Sequence, residues 1–219
     1  MRLLDLFSGT HSVGKVARDL SYDVVSLDRD MSADIRIDVL HWDYTVYDPK
    51  HFDVIWASPP CQYFSHMRAK NIGRFGYTKE SIEQDLTDYG LPVLYKTLEI
   101  IDYFTPDLWF IENPQTGRMK HYIDKPYYDV DYCMYGFDYR KRTRIWTNRL
   151  DFQPKLCNRH CGFIVGNRHV MQVNSYGGSN NRTMRYRIPE VLVRELITAS
   201  PRADTASSAD TVCLQISSE

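Results

Sequence analysis

Apolar residues in this chain come in short blocks, most of them closing on a polar or acidic residue. RLLDLF opens the series at residues 2–7 and runs into the turn SGTHS. VGKVARDL then predicts a short helix, and YDVVSLD a second strand ending on Asp28. DIRIDV predicts a third strand ending near Asp38. FDVIWAS is a fourth, longer and apolar, of the kind buried on both faces of a parallel sheet. GLPVLYKTLEIIDYF places apolar residues at helical spacing, and DLWFIENP is a fifth strand that closes on a polar residue and a proline.

Strands alternating with helices predict an α/β fold: a doubly wound, mostly parallel sheet with helices on both faces. Ligands of such sheets lie beyond the carboxyl ends of the strands. Asp5, Asp28, Asp38, Cys61 and Glu112 all fall at or near such ends. Beyond residue 130 the alternation loosens. YGFDYRKRTRIWTN predicts a turn feeding a basic strand, and IPEVLVRELITA a helix led by Pro189. Residues 200–219 are polar and rich in small side chains, which predicts a disordered tail behind a single domain spanning 1–199. No internal repeat is present.

Composition narrows the classes. At 219 residues with 43% hydrophobic positions, the chain can bury a sizeable core. A net charge of −1 exerts no global pull on a polyanion, so any nucleic-acid contact must rest on local basic clusters. Five cysteines, odd in number and irregularly spaced, disfavour a disulfide framework. No signal peptide is recognisable, and no apolar run approaches the roughly 20 residues that span a bilayer. A soluble protein of a reducing compartment is expected, with no membrane partner.

Four groups carry candidate chemistry. In SPPCQ, Cys61 sits just past an apolar strand, behind two prolines that stop strand pairing. That placement holds a thiol rigid and reachable, with Arg68, Lys70 and Arg74 close enough in sequence to favour the thiolate. DLFSGTHS sets Gly9 between a strand and a helix, where backbone amides can approach a ligand. Asp28 and Asp38 at following strand ends favour an adenosine-containing cofactor, through its ribose hydroxyls. Glu112 ends an apolar strand, and a partly desolvated carboxyl there can serve as a general acid. YRKRTR, residues 139–144, would put Arg140, Arg142 and Arg144 on one face of a strand, in a row suited to phosphates or base edges.

The order of these motifs resembles that of the DNA (cytosine-5) methyltransferase family. DLFSG, Asp28, Asp38, PPCQ, ENP and an Arg-x-Arg-aliphatic strand follow one another as in that family, well over residues 1–146 and more loosely over 174–198. The resemblance implies a Rossmann-like methyltransferase fold that uses S-adenosylmethionine. Cys61 matches the family's nucleophile and Glu112 the glutamate of its ENV motif, with Pro114 where valine is usual. Arg142 and Arg144 match the central and final arginines of the QRRxR motif. Asp5, Phe7, Ser8, Gly9 and Thr10 stand where the family's first motif holds the cofactor, with Asp28, Asp38 and Pro60 beside them. His11 replaces the last glycine of F-x-G-x-G.

The implied reaction adds the Cys61 thiolate to C6 of a cytosine flipped out of duplex DNA and methylates C5. QYFSHMRAKNIGRFGYTK, residues 62–79, is then a loop able to close over the base. Two other readings remain open: a tRNA cytosine-5 methyltransferase, and a non-catalytic nucleic-acid-binding relative. Residues 147–173 occupy the interval where the family carries a target-recognition domain, and they are too few for one. Recognition by loops, short target sites or a partner protein is therefore expected. Such compactness points to a viral or bacterial enzyme, in the cytoplasm of a bacterium or of an infected cell. CNRHCGFIVGNRH in this interval offers Cys157, His160, Cys161 and His169 as metal donors. The spacing C-x3-C suits zinc, but His160 directly before Cys161 is cramped, and a metal-free basic loop is the favoured reading.

Overall fold

The computed structural model describes residues 1–30, 32–171 and 184–198. Six strands form one sheet: β1 (Arg2–Leu6), β2 (Asp23–Leu27), β3 (Val54–Ala57), β4 (Leu108–Pro114), β5 (Tyr127–Asp131) and β6 (Arg142–Thr147). Their order is β2-β1-β3-β4-β6-β5, and β2, β1, β3 and β4 run parallel. β6 joins antiparallel to both β4 and β5. β7 (Ile164–Val165) and β8 (Arg168–His169) form a separate small hairpin.

Alternation within the strands builds a core on each side of the sheet. Leu3, Trp56, Phe110 and Ile145 face α1 (Ser12–Asp19) and α4 (Glu190–Ile197), which bury Val13, Val16 and Ala17, and Leu192, Val193, Leu196 and Ile197. Leu4, Leu6, Ile55 and Ile111 face α3 (Leu91–Phe104), which buries Leu94, Ile100, Ile101 and Phe104. Helices thus cover both faces, as the apolar blocks predict. α2 (Lys79–Asp85) begins at a capping box formed by Thr78 and Ser81 and continues into α3 through a wide turn at Leu86–Gly90.

Two elements differ from expectation. DIRIDV pairs with the sheet only at Leu27–Ile35, and the chain then leaves as a 3₁₀ turn, Val39–His41. Asp34 accepts from the Ser26 amide and hydroxyl, and Asp38 from the Leu40 amide. Side-chain carboxylates thereby take donors that a strand would have offered to neighbouring backbone. β5 is the strand that patterning missed. It lies at the sheet edge and is half exposed, so its alternation of aromatic and acidic residues carries little apolar signal. The basic strand starts only at Arg142. The tail expected at 200–219 lies outside the described residues.

Arg149 gathers several carbonyls at the C-terminal end of α4. Arg149 Nη1 donates to the carbonyls of Glu195, Leu196 and Thr198, at 2.7, 2.6 and 3.2 Å, while Nε reaches Asp151 at 2.8 Å. These include carbonyls in the last turn of α4, which lack intrahelical donors. Arg149→Met keeps the apolar stem and strands those acceptors. A loss of roughly 2 to 3 kcal/mol in unfolding free energy is expected. Urea denaturation checks it, and a midpoint unchanged from wild type would remove Arg149 from the forces holding α4.

Candidate active site

The sheet's topology places a crevice. From β1 the chain moves outward to β2, whereas from β3 it moves the other way to β4, so the connections diverge beyond the carboxyl ends of β1 and β3. A single continuous cavity of about 870 Å³ lies there, near the upper end of ordinary ligand pockets. Asp5, Phe7, Ser8, Gly9, Asp28 and Asp38 line one part of it. Pro60, Cys61, Glu112, Lys141 and Arg142 line another.

The loop after β1 is unusual in its backbone. Phe7, Gly9 and His11 have φ of 60°, 51° and 57°, so alternate residues take the left-handed conformation. His11 accepts a strain on the order of 1 kcal/mol that glycine would avoid. Gly9 N donates to Asp28 Oδ2 at 3.0 Å, joining the loop to the end of β2. The buried Ser8 Oγ has no partner among the described residues. An orphaned hydroxyl, a left-handed loop and an acid at the strand end make a cradle that fits an adenosine-containing cofactor.

Asp5 is 2% exposed and accepts from Gly14 N at 3.2 Å. Burial pushes its carboxyl up to about 7, against the Gly14 amide and Arg18, which pull it down. Asp38 lines the cavity while capping its 3₁₀ turn and pairing with Arg29 at 3.2 Å. Thr10 bonds Ser12 at 2.9 Å and is not part of the cavity wall.

Cys61 opens the 3₁₀ turn Cys61–Phe64 that follows β3. The loop before it is held from β4, because Asn113 Nδ2 donates to Pro59 O at 2.8 Å. Glu112, next to Asn113, is 6% exposed. Tyr132 donates to its Oε1 at 2.8 Å, and Lys141 Nζ lies 3.3 Å from the same oxygen. Burial pushes the Cys61 thiol up, and Lys141 is the foremost group pulling it back toward the thiolate. Of the three cations that sequence spacing offered for this job, the first is otherwise engaged. Arg68 forms an ion pair with Asp85 and lies over the rings of Tyr63 and Tyr77.

The basic strand is tied up differently from the expected free row. Arg142 and Arg144 stand directly across from Asp131 and Asp129 of β5. Arg144 Nε is 2.7 Å from Asp129, with its guanidinium 3.6 Å from the centre of the Tyr127 ring, and it is not part of the cavity wall. Arg140 and Arg142 share the fully buried Asp131, at 2.9 and 3.4 Å, and both reach the cavity. Burial alone would push the Asp131 carboxyl up. Arg140, the Cys157 amide and Arg142 together hold it below the usual range.

Sequence reasoning missed Lys141, Tyr132 and Asn113. Lys141 was hidden inside a run read for its arginines. Asn113 was hidden inside a motif read for its glutamate. Nothing local marked Tyr132, which lies in the turn after the unpredicted β5.

Fold and cleft together define an α/β protein with a thiol, a buried carboxyl and a left-handed glycine loop in one crevice. The chain is 47% identical over 212 aligned positions to the Probable DNA (cytosine-5)-methyltransferase of Frog virus 3 (isolate Goorha), covering 90% of this chain and 99% of that relative. It belongs to the DNA (cytosine-5) methyltransferase family. No protein-family model matches it. Among solved structures it is similar to the S. pombe Dnmt2 methyltransferase, with 16% identity and a TM-score of 0.44 over 71% of this chain and 52% of that one. It is also similar to the Entamoeba histolytica methyltransferase EhMeth, with 12% identity and a TM-score of 0.48 over 71% and 56%. The chain thus spans about half the length of these solved structures.

Two outcomes follow from the electrostatics. Removing the cation in Lys141→Met leaves the burial of Cys61 unopposed by its foremost counter-charge. Its alkylation by iodoacetamide, followed by mass spectrometry, is expected to need higher pH than in wild type, with Lys141→Arg in between. An unchanged profile would remove Lys141 from thiol activation. Asp5 has a folded-state pKa of about 7 against 3.8 in an unfolded chain, so folding takes up a proton between those values. Stability is therefore expected to fall as pH rises from about 4 to about 7, and to fall less steeply in Asp5→Asn. Urea midpoints across that range test it, and equal slopes in the two proteins would contradict the assignment.

Proposed function

We propose that the chain transfers a methyl group from S-adenosylmethionine to C5 of cytosine in DNA, through a covalent adduct between the base and Cys61. The observation that carries this reading is the shared crevice. The Cys61 thiol, the Glu112 carboxyl and the Lys141 ammonium line the same cavity as the Gly9 loop and Asp28. Phe7, Ser8, Gly9 and Asp28 would hold the cofactor, with Asp5, Asp38 and Pro60 lining the same cavity. Bound there, S-adenosylmethionine supplies an electrophilic methyl group.

The rest is performed by the chain's own groups. A cytosine within a duplex is out of reach, so the target must leave the stack to enter the cavity. The thiolate of Cys61 forms a bond to C6, the C5=C6 pair shifts to C5, and N3 takes a proton from Glu112. C5 is thereby made nucleophilic, which unmodified cytosine is not. After methyl transfer, loss of the C5 proton to water returns the C–H pair to the C5=C6 bond and expels the thiolate. Glu112 then takes its proton back. Tyr132 occupies Glu112 Oε1 and leaves Oε2 for the ring. Lys141 favours the attacking thiolate.

Arg142 reaches the cavity, and in this reading contacts the target nucleotide. Arg144 would do so only by exchanging Asp129 for the DNA. The short interval after β6 favours recognition of a short site, or a partner protein that supplies the remainder. The frog-virus relative supports a viral enzyme acting in an infected cell. No helix among the described residues is long and apolar enough to cross a membrane.

The test measures transfer of labelled methyl from S-adenosylmethionine to unmodified duplex DNA, with Cys61→Ala alongside and bisulfite sequencing of the product. Incorporation at cytosine that disappears in the variant is expected. Transfer to tRNA and not to DNA would replace the substrate. Transfer that survives Cys61→Ala would overturn the covalent mechanism.

A further inference from the structure

Four potential metal donors from separate stretches of chain meet beside the end of β5. Cys133 lies in the 3₁₀ turn Tyr132–Tyr135, Cys157 and Cys161 in the segment after β6, and His169 on β8. Their donor atoms, three sulfurs and one imidazole nitrogen, all lie within 4.8 Å of one another. His169 Nε2 is 3.3 Å from Cys161 Sγ and 3.5 Å from Cys157 Sγ. Tetrahedral zinc, with bonds of about 2.3 Å to sulfur and about 2.0 Å to nitrogen, sets sulfur–nitrogen separations of about 3.5 Å. The match extends to burial: Cys133 and Cys157 are buried, Cys161 and His169 half-buried.

The surrounding backbone is shaped to bring these donors together. Cys157 N donates to Asp131 Oδ2 at 2.8 Å, fixing the first of the two cysteines against β5. Gly162 and Gly166, at φ of 80° and 62°, turn the chain after Cys161 and between the hairpin strands. The β7–β8 pairing then carries His169 back to Cys161. His160, adjacent to Cys161 in sequence, is not among the four. A disulfide between any two of the cysteines would leave the third thiol and the imidazole without a shared partner, whereas one ion satisfies all four.

We propose that Cys133, Cys157, Cys161 and His169 bind a structural zinc ion in a closed Cys₃His site. Binding releases three thiol protons to solvent, and the three thiolates with Zn²⁺ leave a net charge of −1 beside Arg140. With four protein ligands no coordination position remains open, so the ion holds structure rather than performing chemistry. What it holds is specific. Cys133 is adjacent to Tyr132, the donor to Glu112, so the ion fastens the segment after β6 to the turn that orients the buried carboxyl. That segment is too short for its own core, and a metal cross-link substitutes for one. The inference does not depend on the methyl-transfer reading.

The full chain, expressed with zinc in the medium and purified without chelator, is expected to contain about one zinc per chain by plasma mass spectrometry. Cys61→Ser, outside the cluster, keeps it. Cys161→Ser and His169→Ala lose most of it. Because a ligand variant can unfold, wild-type protein exchanged with Co²⁺ provides the second measurement. Intense visible d–d bands and a near-ultraviolet thiolate-to-cobalt band are expected, as for a tetrahedral thiolate site. A folded wild-type protein that carries no metal and gives no such bands overturns the proposal. So does zinc retained in folded Cys161→Ser and His169→Ala, or iron found in place of zinc.

Discussion

A carboxylate buried inside a sheet must be given hydrogen-bond donors, and Glu112 takes both of its own from outside its strand. Left unpaired, such a charge costs several kcal/mol. Tyr132 comes from the turn after β5 and Lys141 from the turn into β6. The antiparallel pair β6–β5 therefore has to close against the β4 edge of the otherwise parallel sheet before the site exists. Asn113 carries the same dependence toward β3, because its bond to Pro59 fixes the loop that presents Cys61. Thiol, carboxyl and ammonium are thus brought to one crevice by the ends of three neighbouring strands.

Charge is distributed around this joint with little left over. Asp129 and Asp131 stand opposite Arg144 and Arg142, so an acidic edge strand and a basic neighbour neutralise one another across the ladder. Asp131, fully buried, accepts from Arg140, Arg142 and the Cys157 amide at once. That single side chain connects the basic strand to the cysteine-bearing segment after it. The net charge of −1 hides this arrangement. A run that looks free for polyanions is mostly paired, and the cation that meets Cys61 and Glu112 is the one lysine within it.

The two cores explain why the crevice is so well defined. α1 and α4 on one face and α3 on the other bury the sheet, and the buried Asp5, Glu112 and Asn113 gather toward the carboxyl ends of β1 and β4. Asp5 pays for its position there with a raised pKa, since burial acts on it more strongly than the Gly14 amide and Arg18 do. Helix Glu190–Ile197 returns from the far end of the chain to cover α1, held by Arg149 at its carbonyl end.

Local pattern alone determined much of this. Apolar blocks of strand length, most of them closing on a polar or acidic residue, placed β1 to β4, and the helical spacing placed α1, α3 and α4, because burial leaves a periodic trace in the residues themselves. The order of DLFSG, PPCQ and ENP likewise set Cys61, Glu112 and the glycine turn at one edge. Pairing across distance left no such trace. DIRIDV has the composition of a strand, yet Asp34 and Asp38 satisfy backbone donors that a ladder would have used. β5 mixes strand-favouring tyrosines and Val130 with two acids, and its place at the sheet edge is fixed because β6 supplies opposite charges in register. Lys141 is chosen over Arg68 as the companion of Cys61, and Cys133 over His160 as the companion of Cys157 and Cys161. Both choices depend on which segments the antiparallel end of the sheet brings within reach, and contacts of that kind are set by three-dimensional packing between residues that no spacing rule relates.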